Sequence, residues 1–144
     1  MKIQFKGMDK AKKRNNARIK DIEQLVKKAT TRSALLVKAY AQEQIQRGVA
    51  TGNPRPDGSI ASAPGQFPKT DTGNLVNNIS TQTKTQGTTV IGMIISSAEY
   101  SKHLEFGTRH MAARPFMQPS LDRNAKKIKD IFRKEGLLKK RGRN

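Results

Sequence analysis

Apolar residues along the chain change their spacing several times, and each change predicts a different element. Between residues 9 and 47 they step by three and four, the period of one helix face, and Gly48 ends the run. The stripe comprises Ile22, Val26, Ala29, Ser33, Leu36 and Tyr40. A helix of this length spans at least ~50 Å, more than a small core covers. We therefore expect an amphipathic helix that packs on a sheet, with a free end that reaches a neighbouring subunit.

Two segments have patterns that predict β-structure. Residues 80–86 are rich in Thr, Gly87 supplies a turn, and residues 88–97 carry closely spaced Val, Ile and Met side chains. This pattern predicts a β-hairpin with one buried face. A short alternation of polar and apolar side chains at residues 2–6 predicts a strand or arm.

A Pro/Gly-rich segment at residues 49–70 separates the helix from the hairpin. It holds four prolines and three glycines and shows no helical or strand period. Segments of this length without structure of their own are usually functional or become ordered on assembly. We expect a mobile loop that orders on assembly, with Phe67 as an apolar anchor that pins the loop to a partner. After the loop, Asp71 or Thr72 is expected to cap a short helix. The apolar residues that follow this cap are Leu75, Val76 and Ile79.

Residues 98–122 form a joint between the hairpin and the last helix. Residues 98–106 have helical spacing, and Gly107 supplies the left-handed residue that commonly ends a helix. We expect one side of this short helix to be buried. The side chains that would share the buried side are Tyr100, Leu104 and Phe106.

The second half of the joint predicts an extended piece and a new helix. Pro115 biases the preceding residue away from helical geometry, which makes residues 111–116 extended. Pro119 suits the first turn of a helix that continues to about Glu135, before Gly136. The apolar stripe of that helix is Leu121, Ala125, Ile128 and Ile131 or Phe132.

These elements predict an α+β fold in a single domain over residues 1–144. A small antiparallel sheet, made of the hairpin with edge strands from residues 111–116 and 2–6, packs against the long N-terminal helix and a C-terminal helix. In chain order the domain comprises an arm or strand at 2–6, a long helix at 9–47, a Pro/Gly loop at 49–70, the hairpin and joint at 71–122, a C-terminal helix at 123–135 and a basic tail at 136–144.

The formal net charge is +18, and it is concentrated at the two ends of the sequence. Residues 1–47 carry 13 basic and 4 acidic side chains, net +9, and residues 123–144 carry 10 and 2, net +8. Residues 48–97 carry 3 basic and 2 acidic side chains, net +1, and residues 98–122 carry 3 of each. A neutral centre is typical of a packing module, and basic ends favour an anionic neighbour.

The sequence offers little that predicts catalysis. Glu99 and His103 lie one helical turn apart, but two ligands without a third of fixed geometry do not make a metal site. No Ser or Thr lies in a nucleophile motif, and no glycine-rich phosphate loop precedes a helix. Glu105 and Arg114 are expected to pair across the joint in a structural role. We predict no enzyme activity, catalytic residue, cofactor or metal, and no apolar run is long enough for a membrane span.

Two blocks of sequence resemble a known family. E-F-G-T at 105–108, followed by R-P-F at 114–116 and Pro119, is similar to the signature of a tail-component family of long-tailed bacteriophages. A-P-G-Q-F-P-K-T-D-T-G-N-L at 63–75 is similar to the family's Pro/Gly loop before an Asp-Thr-Gly helix start. The order and spacing of the blocks fit, and the resemblance covers about residues 1–135.

The resemblance implies a structural virion protein of the phage neck, or tail-completion region. Such a subunit forms a homo-oligomeric ring, here expected to have six copies, between the head-completion or connector layer and the tail terminator or tail tube. It helps to join the DNA-filled head to the tail, and double-stranded DNA passes through its channel. The expected location is the virion neck, with assembly in the host cytoplasm.

The joint and the Pro/Gly loop are the expected contact surfaces in such a ring. The candidate interface residues are Phe67, Glu105, Phe106, Arg114 and Phe116. For Phe106 and Phe116 a place in the core is the interpretation we favour. The rival class of function is a free-standing, basic, non-specific nucleic-acid-binding protein, although no zinc-finger, basic-zipper or RNA-recognition pattern is present.

Overall fold

The computed structural model describes residues 8–138 and has the expected α+β fold. The predicted strand at 2–6 and most of the predicted basic tail, residues 139–144, lie outside the described residues. The elements in chain order are α1 (Met8–Arg47), α2 (Asn74–Asn77), β1 (Ile79–Gln86), β2 (Thr89–Ser96), α3 (Ser101–Phe106) and α4 (Met117–Lys134).

The predicted hairpin is confirmed: β1 and β2 are antiparallel and pair from Ile79–Ser96 to Gln86–Thr89. Gly87 in its turn has a φ of 57°, a left-handed value that a residue without Cβ adopts freely. One face of the hairpin packs on α1 through Gly92. A Cβ added there would lie 2.8 Å from Thr30 Cγ2, so the absence of a side chain sets how closely β2 approaches α1.

Helix α4 runs antiparallel to α1. Its beginning lies beside the C-terminal half of α1, where Arg123 donates a hydrogen bond to the Tyr40 hydroxyl at 3.2 Å. Glu135, directly after α4, forms ion pairs with Lys28 and Arg32 near the middle of α1. Both the hairpin and α4 therefore cover the same half of α1.

The core lies where α1, α2, the start of β1 and the start of α4 meet. Phe116 is 1% exposed and is the largest fully buried side chain, which confirms the interpretation of this residue as core. The other members of the buried cluster are Ala41, Ile45, Leu75, Val76, Ile79 and Ala98.

The predicted stripe of α4 is wrong in its first two turns. Leu121 is 43% exposed and Ala125 is exposed, whereas Ser120 and Asn124 are almost fully buried. These two polar residues fit because each bonds to a carbonyl one turn earlier: Ser120 Oγ to Phe116 O, and Asn124 Nδ2 to Ser120 O at 2.8 Å. A small hydroxyl and a self-satisfied amide let α4 lie close to α1 without an unpaired buried polar group.

The predicted third strand at residues 111–116 is also wrong, since within residues 8–138 the sheet has two strands. The backbone of this segment bonds elsewhere. Arg114 N–H donates to Leu104 O at 2.7 Å, and Ala113 O accepts from Gly65 N–H at 2.9 Å. A bridge between Thr108 and Met111 closes a tight turn before it. Local bonds to the joint and to the Pro/Gly loop therefore replace sheet pairing.

Two local predictions near the short helices need correction. Helix α2 is preceded by Gly73 at φ 78° with no side-chain cap, so neither Asp71 nor Thr72 takes the cap position. Helix α3 begins at residue 101, three residues later than expected, and of its predicted buried side only Leu104 packs against the core. Tyr100 is 41% and Phe106 77% exposed.

The Pro/Gly loop, residues 49–70, contains no helix or strand but is tied to the domain at several points. It folds back on itself through a bridge between Pro54 and Ile60. Its end bonds to α1, where Thr70 N–H donates to Ile45 O at 3.1 Å. Within the loop, Ser59 donates two hydrogen bonds to the Asp57 carboxylate, and these lower the pKa of that exposed carboxyl.

Candidate assembly surfaces

Glu105 closes the N-terminus of α4. Its carboxylate accepts backbone N–H bonds from Phe116 at 2.8 Å, Met117 at 3.0 Å and Gln118 at 3.0 Å. These are donors that a first helical turn leaves without partners, and a negative charge is favoured there by the helix dipole. The expected Glu105–Arg114 ion pair is therefore wrong, because the glutamate is occupied by the next helix.

Arg114 instead joins the joint to the Pro/Gly loop. Its Nε donates to Ser62 O at 2.8 Å and its Nη1 to Ala112 O at 3.3 Å. Two carbonyl oxygens thus take the place of the predicted carboxylate partner. Together with the bond from Gly65 N–H to Ala113 O, this contact brings the two sequence blocks of the resemblance side by side.

Phe67 packs against its own chain and is half-buried. Its ring meets the Tyr40 ring edge-on at 6.4 Å between centroids, and the Arg123 guanidinium lies 5.6 Å from its centroid. Within the domain, Phe67 fastens the loop to α1 and α4. Contact of Phe67 with a partner stays a prediction.

Phe106 and Phe116 have opposite environments. Phe116 lies in the core, whereas Phe106, at 77% exposed, is the most exposed large apolar side chain in the described part of the chain, and a core role for it is wrong. Gly107 holds a φ of 75°, and a Cβ there would lie 2.9 Å from Met111 O. The chain turns sharply after α3, and Phe106 is left on the surface.

A groove of about 580 Å³ lies between β2 and the start of α4, and residues of α3, including the exposed Phe106, also line it. Its apolar lining is made of Ile94, Phe106, Phe116, Met117 and Leu121. Both walls rest on α1, but β2 and α4 do not pack closely against each other. We call this feature the β2–α4 groove.

The edge of β2 that does not pair with β1 carries no backbone hydrogen bond to another segment among residues 8–138. Strand β2 also contains no charged residue and no proline, whereas β1 carries Lys84. Exposed edges of soluble proteins are commonly protected by such residues, so an unprotected apolar edge is a site where another chain can pair.

The N-terminal part of α1 extends beyond the domain. Residues 9–24 are exposed throughout, a length of ~24 Å at the helical rise. Ile19 and Ile22, each 53% exposed, continue the face that packs inside the domain further along the helix. The helix therefore presents an apolar stripe with no cover from the described part of its own chain.

The two basic ends of the sequence converge in space. Residues 10–28 of α1 carry eight basic side chains, and residues 123–134 of α4 carry six. Because α4 is antiparallel to α1, its C-terminus approaches Lys28, and we call the combined surface the basic end. The sequence places these charges at opposite termini, and only the pairing of the helices brings them together.

Other chemistry in the described residues is sparse. No group of three or more His, Cys, Asp or Glu side chains within residues 8–138 is arranged to hold a metal ion. A second cavity, of about 460 Å³, lies under the Pro/Gly loop and is bordered by the Arg55–Asp71 ion pair at 3.1 Å. None of the described helices is long and apolar enough to cross a membrane.

Three features of these surfaces are missed by sequence patterns. Gly92 looks like an interruption of β2, and a glycine inside an apolar strand is the available signal for close backbone approach. Ser120 and Asn124 share a helix face at a spacing of four, which is the signal for a polar pair that bonds its own backbone. The sequence of β2 does not show that its edge is free, because this depends on whether residues 111–116 form a neighbouring strand.

Comparison of the chain with models of protein families, with curated proteins and with solved structures finds no match.

Proposed function

We propose that the chain is a structural subunit of the neck, or tail-completion region, of a long-tailed bacteriophage, where a ring of its copies helps to join the DNA-filled head to the tail. The neighbours are the head-completion or connector protein on one side and the tail terminator or tail tube on the other. The proposal includes no catalysis and no cofactor or metal. In this proposal the chain is located in the virion, which is assembled in the host cytoplasm.

The observation that carries this proposal is the contact between the two resemblance blocks. They lie about forty residues apart in the sequence. Arg114 of one block bonds to Ser62, the residue directly before the other block, and Gly65 of that other block bonds to Ala113, the residue directly before Arg114. The family-like residues also have defined local tasks: Glu105 caps α4, Gly107 makes the turn, and Phe116 fills the core. A motif whose members cooperate in one joint is better support than separate short matches.

The distribution of exposed apolar surface also supports a ring. The free half of α1 and the β2–α4 groove are different faces of the domain, and both carry exposed apolar side chains. Rings form from heterologous contacts, in which one face of a subunit meets a different face of the next. A chain with two unlike contact faces suits such a closed arrangement, and we propose six copies.

The basic end has a role in this proposal as the surface that meets anions. Positive side chains on α1 and α4 would face either the phosphates of double-stranded DNA in the channel or an acidic surface of a neighbouring ring. No base-reading motif is required for either task. Contact with DNA would be non-specific and would weaken as salt rises.

An early stop codon in this reading frame of the parent phage tests the proposal. Electron microscopy of the lysate is expected to show DNA-filled heads beside unjoined or aberrant tails, and the full-length chain supplied from a plasmid is expected to restore joined particles. Normal infectious particles without the chain would contradict a neck function.

A second candidate function is a free-standing, basic, non-specific nucleic-acid-binding protein. The basic end favours it, because fourteen basic side chains lie on two helices that pack against each other. This alternative predicts tight, salt-dependent DNA or RNA binding by the isolated chain and unchanged particle assembly in its absence. The lysate experiment therefore separates the two candidates.

A further inference from the structure

We infer that residues 2–6 of one copy add a strand to the free edge of β2 in a second copy and place their apolar side chains in its β2–α4 groove. This inference deepens the proposed ring, on which it rests, by naming the two surfaces that meet. The occupant of the groove is therefore a segment of another copy of the same chain.

The first argument is the match between the edge and the segment. Strand β2 offers a charge-free apolar edge without a backbone partner among the described residues. Residues 2–6 read Lys-Ile-Gln-Phe-Lys, so a strand there would carry Ile3 and Phe5 on one face and polar side chains on the other. Addition of such a strand satisfies main-chain groups of β2 and brings an apolar face to an apolar groove.

The second argument is the orientation of the face. Gly92 and Ile94 lie on the side of β2 that faces α1, and both also line the groove. A strand paired to this edge with Ile3 and Phe5 on the same side would direct them toward Phe116 and Met117. The exposed lining residues Phe106 and Leu121 would then lose solvent contact.

The third argument is length, and it excludes the chain's own groove. Gly92 contacts Thr30, and the helix from Met8 to Thr30 spans ~33 Å. Six residues between Met8 and Lys2 reach at most ~20 Å when fully extended. Because α1 carries its N-terminus away from the domain, residues 2–6 fall short of Gly92 in their own chain by more than ~10 Å, so they can reach the β2–α4 groove, which begins at Gly92, only in another copy.

The resulting contact is head-to-tail. The N-terminal end of α1 in one subunit would engage the edge of β2 in the next, and the same two surfaces stay available at each end of the pair. Repetition of one such contact by rotation closes a ring. It also brings the stripe of Ile19 and Ile22 toward the neighbouring subunit, since these residues lie on the same helix as the docked segment.

Disulfide cross-linking of the full chain tests this inference cleanly, because the chain has no native cysteine. A Phe5→Cys, Leu121→Cys double variant is expected to give a ladder of dimers and larger species on a non-reducing gel, which collapses on reduction. The matched control is Gln4→Cys with Leu121→Cys, whose first cysteine lies on the opposite face and is expected to give at most a small fraction of that ladder. Mixing the two single variants, Phe5→Cys and Leu121→Cys, is expected to give mainly one dimer.

Sedimentation of variants without cysteine gives a second measurement. Phe5→Asp is expected to weaken self-association at least about tenfold, since it removes the burial of a large apolar side chain, whereas Gln4→Asp leaves it nearly unchanged. Cross-linking within single chains, no preference for Phe5 over Gln4, or a wild-type chain that stays monomeric would each overturn the inference. The stop-codon experiment does not depend on these outcomes, so a failed docking contact and a failed neck function remain distinguishable.

Discussion

Glu105 links two helices that are eleven residues apart in the sequence. Its carboxylate accepts three N–H groups at the start of α4, and this places α3 directly against the N-terminus of α4. The sequence predicts Arg114, an opposite charge across the joint, as its partner. The geometry of a helix start, with several donors pointing to one place, is the stronger attraction for a carboxylate.

Removal of the Glu105 carboxylate is expected to destabilise the domain. Glu105→Ala should lower the free energy of unfolding by about 1–2 kcal/mol, because three backbone donors lose their shared acceptor. Glu99→Ala is the matched control, since Glu99 is exposed and is expected to change stability by less than about 0.5 kcal/mol. Urea titration followed by circular dichroism measures both, and equal stability of the two variants would contradict the capping role.

Phe106 and Phe116 give a paired prediction that separates surface from core. Phe116→Ala should cost about 3–5 kcal/mol of stability, because the side chain is 1% exposed and leaves a cavity. Phe106→Ala should change stability by less than about 0.5 kcal/mol, because the ring is mostly in solvent. In the proposed ring, the Phe106 variant folds but assembles poorly. Thermal unfolding together with complementation of the stop-codon phage measures both effects, and a large loss of stability in the Phe106 variant would contradict its surface placement.

Helix α1 and the hairpin pack against each other at Gly92, a residue without a side chain. The face of β2 that lies on α1 carries Gly92 in its centre, opposite Thr83, and Thr83 Oγ1 lies 3.0 Å from Thr31 Oγ1. Small and polar groups at this crossing let the two elements approach closely. The larger apolar residues lie further along β2, toward the core.

The fit at Gly92 gives a prediction at the scale of elements. Gly92→Ala places a methyl 2.8 Å from Thr30 Cγ2 and should cost about 1–3 kcal/mol through displacement of the hairpin. Adding Thr30→Ser removes the opposing methyl and should restore much of this loss, whereas Thr30→Ser alone should be close to neutral. A double-mutant cycle in denaturant measures the coupling, and simple additivity would show that the hairpin does not pack at this point.

Much of the fold follows from periodic patterns, and the errors have local physical causes. Helix α1, the hairpin and the end of α4 are predicted because each has a sustained period and a Gly at a boundary. The strand at 111–116 is not formed because the backbone groups of Arg114 and Ala113 bond to α3 and to the loop instead of to a sheet edge. The buried face of α4 is misassigned because Ser120 and Asn124 satisfy their own polar groups, which residue type alone does not reveal.

The sequence allows the separate parts of the candidate assembly surfaces to be predicted, but not how these parts are arranged in space. The basic character of both termini, the joint and the family-like blocks are visible in the sequence. The convergence of the basic ends depends on the antiparallel packing of α4, and the β2–α4 groove depends on a strand that is not formed. Such long-range consequences follow from how elements pack, and no local pattern encodes them.

At the scale of the whole molecule, most of the positive charge lies away from the β2–α4 groove, and the outer part of α1 carries both basic side chains and the exposed Ile19 and Ile22. The basic end occupies the outer part of α1 and the length of α4, whereas the exposed apolar groove lies beside the nearly neutral joint. Such a division lets one region meet anions while another meets copies of the chain. A ring around DNA requires both properties in each subunit.

Salt dependence of DNA binding tests the role of the basic end. A variant with Lys126, Lys127 and Lys129 changed to Gln should lose up to about three phosphate contacts, and each contributes ~0.9 to the slope of log affinity against log salt concentration. The control changes Lys69, Lys84 and Lys102 to Gln, which removes the same charge from exposed positions elsewhere. Fluorescence anisotropy with a short duplex measures both, and equal slopes would show that the basic end does not direct DNA binding.

The most direct test of the central claim is a cryo-electron microscopy reconstruction of the neck of the parent phage. We predict a ring of this chain at the head–tail junction, with the basic end of each copy toward DNA or an acidic neighbour and the β2–α4 groove filled by the next copy. Absence of the chain from purified particles, or its presence only away from the junction, would contradict the account and favour the nucleic-acid-binding alternative.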